Sequence, residues 1–343
     1  MKKLLLAVIL LSAAFAFAQT AQPDWAVVKT FQIGGDGAWD YLTVDPGTHR
    51  LYVPRSTHTQ VIDAESGQVI GDIPGQKRAH GAAIVPDVNR GFISDGGDTG
   101  FIDVFDLKTN ALLGKISALP DADGIIYDPY SKQVLVVSGD KGVLMTLKPN
   151  VNPKTGTIGP PIDLGGAPEF LASDGKGKIY INLMDKNEVA VVDIKARKVI
   201  ARWPVAPGGA PVGMSMSVDG QKRRLFIGCR KPPKLIVMSA VDGKILADLP
   251  IGEGVDATKY LEGYALASCR DGTLAVAHET SPEKFEIVQT VQTPIGARTM
   301  GVDPTTYRIY LPTATFEEAK PGERPRPKPG TFVVVVVGHQ AAK

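Results

Sequence analysis

The sequence predicts an all-β chain assembled from seven repeats of four short strands, and three observations lead there. Turn formers are spread evenly, with 37 glycines and 26 prolines among 343 residues, which argues against a bundle of long helices. One pattern recurs: a polar-then-apolar opening, a tight turn, an apolar strand, a second turn and two more strands. Its openings fall at Asp40, His80, Asp123, Glu169, Val212, Asp256 and Arg298, spaced by 40, 43, 46, 43, 44 and 42 residues. That period belongs to four-stranded propeller blades rather than to helical arrays. The composition, 43% hydrophobic and 22% charged, is that of a folded chain and excludes bulk disorder.

In chain order, the first element is a targeting segment. Lys2 and Lys3 precede an apolar run ending at Phe17, and Ala16-Phe17-Ala18 places small residues at the cleavage positions. Residues 1–18 therefore read as a signal peptide removed before Gln19, and the run is too short for a membrane span. Without Lys2 and Lys3 the formal charge falls from +2 to zero. A neutral exported chain has no bulk attraction to nucleic acid or anionic lipid. The expectation is a periplasmic or secreted protein with one domain over 19–343, acting as a monomer, with no membrane span in the mature chain.

The segment 26–33 has the character of a fourth strand standing ahead of the first complete unit. Second strands carry the strongest β signal, being rich in branched and aromatic residues: 50–53, 91–93, 133–137, 178–181, 224–227 and 308–311, with 264–268 weaker. Asp45-Pro46-Gly47, Asp128-Pro129, Asp174-Gly175, Asp219-Gly220 and Asp303-Pro304 supply turns between first and second strands. Third strands such as 188–192 and 235–238 are nearly continuous apolar runs, as expected where both sheet faces are covered. The seventh unit ends at 331–337 without a fourth strand. Pairing 26–33 with 331–337 would complete it and leave no unpaired sheet edge, giving a seven-bladed β-propeller closed by its N-terminal strand. The charged, Pro-rich stretch 317–330 cannot be strand and reads as a loop inserted into the last unit.

The Lys178-Ile179-Tyr180-Ile181 strand, followed by Val191-Val192-Asp193 and the apolar Val199-Ile200-Ala201, resembles the YVTN-repeat β-propeller family, in particular its YncE-like exported members. Pro54, Leu183 and Pro312 depart from the Tyr-Val-Thr-Asn core, and the Trp-Asp and Gly-His marks of WD40 repeats are absent from the units. The resemblance implies a seven-bladed ring. It does not imply one activity, because this fold hosts enzymes, carriers and docking platforms alike.

In a ring of this kind the first strands line the central channel, so Asp40, His80, Asp123, Glu169, Asp256 and Arg298 are expected to converge at one mouth. Four acids against one arginine give about −3 when all are ionised, a crowding that a bound cation, a cationic ligand or a raised carboxyl pKa would relieve. Turns on the same face add Arg55, His58, Arg230 and Arg270. Val212 interrupts the polar openings, which argues against a symmetric metal cage. Asp121-Ala122-Asp123-Gly124 begins like a calcium loop but lacks the third acid and the closing glutamate. Haem-attachment, zinc-helix, nucleophile-elbow and phosphate-loop motifs do not occur. Aromatic residues are too sparse among the rim charges for base stacking, so nucleic acid is not an expected partner. Cys229 and Cys269 sit at equivalent places in neighbouring units, and spacing leaves open whether they form a disulfide or stay as two thiols. The expectation is a non-catalytic propeller that binds a small ligand or protein at the charged mouth, with no cofactor required and a divalent cation possible. The alternative is a lactonase-like hydrolase whose mouth carboxylates hold a divalent metal.

Overall fold

A computed structural model describes residues 24–219, 222–319 and 325–340. The expected signal peptide over 1–18, Gly220 of one expected turn and the centre of the 317–330 insertion lie outside the described residues. Those described are built from strands, with the short 3-10 turn Pro86–Val88 as their one helical element.

The unit opening at Glu169 shows why the repeats fold as they do. Pro168–Ser173, Lys178–Leu183, Glu188–Asp193 and Lys198–Pro204 lie side by side in chain order as an antiparallel sheet. Its two middle strands are apolar without alternation and almost wholly buried, whereas Lys198–Pro204 alternates exposed with half-buried residues. This is the burial expected of a sheet covered on both faces at its centre and wetted at its outer margin.

Five of the six sheets have four strands. The sixth has seven, because the units opening at Asp40 and His80 share one seventeen-residue strand, Val69–Val85. Its first part pairs with Ser56–Asp63 and its last part with Arg90–Asp95. The Asp95 carboxylate accepts hydrogen bonds from the Lys77 and Arg78 amides at 2.8 Å each. These bonds hold the passage from one unit to the next extended. Elsewhere the third unit's outer strand is cut to Ile162–Asp163.

The N-terminal strand Trp25–Gln32 pairs antiparallel with Val333–His339, from Trp25 opposite His339 to Gln32 opposite Val333, and completes the last sheet. The described residues of the insertion form no strand, and an isolated bridge between Phe316 and Pro327 ties its base.

Apolar cores lie between consecutive sheets rather than within them. Neighbouring residues of a strand serve opposite sides: Leu225 packs with Tyr180 and Val191 of the preceding unit, and Phe226 with Ala265 and Ala275 of the following one. Leu51 and Ile62 of the first unit pack with Tyr310 and Val334 of the last. The inner strands run next to one another in the same sequence, with Gly301–Asp303 beside Thr43–Asp45. Side chains bond across these junctions, Thr43 Oγ1 donating to the Ala82 carbonyl at 2.7 Å and Thr299 Oγ1 to the Asp40 carbonyl at 3.0 Å. Cys229 and Cys269 are unpaired and buried, and burial pushes both thiols up to about 12, which settles the alternative that spacing left open.

Candidate functional site

The inner strands start at one end of the central space, and their starting residues form two opposed groups. In the first, His80 Nδ1 lies 2.7 Å from Asp40 Oδ2 and 3.4 Å from Asp123 Oδ1. Ligand atoms of these three residues fall within 4.8 Å of one another. His80 fits there because residue 96 is glycine, where an added Cβ would come 2.8 Å from His80 Nε2. That nitrogen, in a side chain only 9% exposed, has no hydrogen-bond partner among the described residues. In the second group Arg298 Nη1 donates to Asp256 Oδ2 at 2.7 Å, and Arg230 Nη2 donates to Asp256 Oδ1.

Charge and burial act against each other across this site. Burial disfavours the His80 imidazolium, but the Asp123 charge and the Asp40 hydrogen bond and charge outweigh it and bring the ring up to about 9. Burial also pushes Asp123 well above the carboxylate range, with His80 pulling it back. Glu169 stands in the fields of both groups: burial raises its carboxyl to about 7, Arg230 opposing while Asp256 and Asp40 add to the rise. Asp256 is raised by burial against the pull of Arg298 and Arg230. The site thus holds a protonated imidazole among carboxyl groups, one of which titrates near neutrality. It can accept a cation, or a ligand that brings a positive and a negative end together.

Of the ten residues expected from sequence, Asp40, His80, Asp123, Glu169, Asp256, Arg298 and Arg230 belong to this constellation. Arg270 lines an adjoining recess of about 120 Å³ with Arg298, Trp39 and Phe316. Arg55 is not at the mouth. Its guanidinium is buried over the Phe332 ring, 3.6 Å from the centroid, and donates to the carbonyls of Gly34, Asp36, Gly37 and Ala38 and to Gln60 Oε1. Burial lowers its pKa to about 10. It fastens the segment that delivers Asp40. His58 sits apart, with Asp72 Oδ1 at 3.9 Å and the Thr57 hydroxyl at 3.1 Å. Val212 is fully buried and contributes its carbonyl to Asn182 Nδ2.

Tyr41, Phe170 and Lys259 also face the central space, and sequence reasoning did not single them out as site residues. Tyr41 and Phe170 directly follow Asp40 and Glu169, and their rings pack with centroids 4.6 Å apart. Burial raises the Tyr41 hydroxyl, and Asp256, Asp123, Glu169 and Asp40 add to it. The available signal was the residue after each opening, together with one lysine in the strand Val255–Leu261 that begins at the Asp256 opening.

No family model matches the chain, and no curated protein matches it. A solved chain of Kuenenia stuttgartiensis hydrazine synthase is similar in fold, with a TM-score of 0.66 at 12% identity, covering 88% of this chain and 95% of that one. At that identity the likeness concerns architecture alone and supports a β-propeller-like, all-β fold. No helix among the described residues is long and apolar enough to cross a membrane.

Proposed function

We propose that this chain is an exported, seven-bladed propeller of the YVTN and YncE-like type that binds a small cationic or zwitterionic ligand at the charged mouth without transforming it. Ring closure is supported by the last unit packing against the first through Tyr310, Val334, Leu51 and Ile62, and by the N-terminal strand filling the last sheet. The observation that carries the binding reading is the pair of charged groups, His80 2.7 Å from Asp40 and Arg298 2.7 Å from Asp256, with Glu169 in the fields of both and its carboxyl raised to about 7. An ammonium group placed there would favour the ionised form of Glu169, and a carboxylate on the same ligand would meet Arg230 and Arg298.

One observation favours a second reading, a lactonase-like hydrolase using a divalent metal: the Asp40, His80 and Asp123 ligand atoms lie within 4.8 Å of one another. The proton on His80 competes with that use, because a metal ion at Nδ1 must displace it.

Titration calorimetry with the free amino acids, putrescine, Ca²⁺, Mn²⁺ and Zn²⁺ separates the readings. Binding of an amino acid or the diamine, lost in the Asp40→Asn/Glu169→Gln double variant, supports the first. Tight binding of a metal alone, with proton release and loss in Asp123→Asn, replaces it with the second. No binding by any of these probes overturns both.

A further inference from the structure

Beyond the mouth, the central space widens into a cavity of about 760 Å³ on the other side of the Tyr41–Phe170 pair. Ile84, Ile126, Tyr127, Met214 and Met216 line its walls, and the turn residues Pro46, Pro86 and Pro129 stand at its rim. This size and apolar character suit a small-molecule pocket, and the methionines give it adaptable walls.

One lining residue is out of keeping with those walls. Lys259, half-buried in the strand Val255–Leu261, is the single cationic residue among the described lining. Its Nζ lies 5.4 Å from the Phe170 ring centroid, and none of the described carboxylates forms an ion pair with it. Asp45, the other charged lining residue, is committed to the Gly47 amide and the Thr48 hydroxyl at 3.0 and 2.7 Å. None of the mouth carboxylates Asp40, Asp123, Glu169 and Asp256 lines the cavity. Burial accordingly lowers the Lys259 pKa to about 8.

A lone ammonium on an apolar wall costs free energy unless a counter-charge joins it. We propose that this cavity is a second binding site, for an apolar monocarboxylate whose carboxylate pairs with Lys259 and whose hydrocarbon body lies against Met214, Met216, Ile84 and Ile126. A dianion such as phosphate would leave a charge uncompensated in low dielectric, since no second cation lines the cavity. A neutral hydrocarbon would leave the ammonium as it is.

Decanoate is the probe, titrated calorimetrically into the full chain beside decanol. Saturable binding of decanoate, weakened by about tenfold or more in Lys259→Met and retained in Lys259→Arg, is the expected result. Decanol should bind Lys259→Met no more weakly than it binds the wild type. Met216→Trp, which narrows the cavity along the wall proposed to hold the hydrocarbon body, should weaken decanoate binding while circular dichroism shows an intact fold. Equal decanoate affinity in the wild type and Lys259→Met would overturn the proposal, and so would the absence of saturable binding. The mouth reading concerns other residues and other probes, so either can fail alone.

Discussion

His80 and Glu169 tie the mouth to pH in the same direction. Glu169 titrates near 4.5 when unfolded and about 7 in the fold, so between those values the folded chain holds more protons and stability falls as pH rises. The His80 pKa is raised from 6.5 to about 9; its contribution is complete below 6.5 and disappears as pH climbs through 9. Urea midpoints should therefore decline from about pH 4.5 to 8, above which Lys259, lowered to about 8, acts in the opposite sense, and His80→Gln should flatten the limb from about 6.5 to 8. A midpoint that rises across that limb in the wild type would contradict the assignment. Arg55 has a different role. Arg55→Met strips several carbonyls of their donor and should cost about 3 kcal/mol or more. Arg55→Lys should not restore the loss, since an ammonium cannot reach the same fan of acceptors. Chemical denaturation of both variants tests this.

Among the elements, the second and third strands were legible because their branched, continuously apolar residues report burial on both faces. The fourth-strand character of 26–33 was legible from its β-prone residues and its place ahead of the first complete unit, and Trp25–Gln32 occupies that place, mostly exposed as an outer strand should be. What escaped depended on contacts remote in sequence. Val69–Val85 stays continuous through Pro74 and Gly75 because Asp95 reaches back to hold two amides, and no local propensity records that. Arg55 looked like a rim charge because its turn faces the mouth, but its long side chain folds back beneath residues 34–38. The polar openings were readable as a set, while the pairing of His80 with Asp40 and of Asp256 with two arginines rests on distances that spacing does not carry. Removing residues 24–32 should expose the edge of Val333–His339, with loss of cooperative unfolding and self-association seen by size-exclusion chromatography. A monomer with an unchanged melting profile would show that the strand is dispensable.

For the molecule as a whole, the arrangement predicts tolerance of new chain ends. A short glycine linker from His339 to Trp25, with a new break at the exposed turn holding Val241, should give a permuted chain that folds with a single transition. Failure to fold, judged by circular dichroism and thermal melting, would argue against the closed ring. Cores shared between successive sheets also predict that one large cavity mutation, such as Phe226→Ala, lowers the melting temperature of the entire chain and releases no separate domain. Its cost should be about 3–5 kcal/mol.

Trp25 and His339 face one another at the same end of an antiparallel pair. A load applied through the flanking segments would part the bonds between those strands one after another, as a zipper opens, instead of straining them all at once. Stretching by the two termini should thus peel the first strand away at low force, while the same tension applied across the sheets elsewhere would meet far greater resistance.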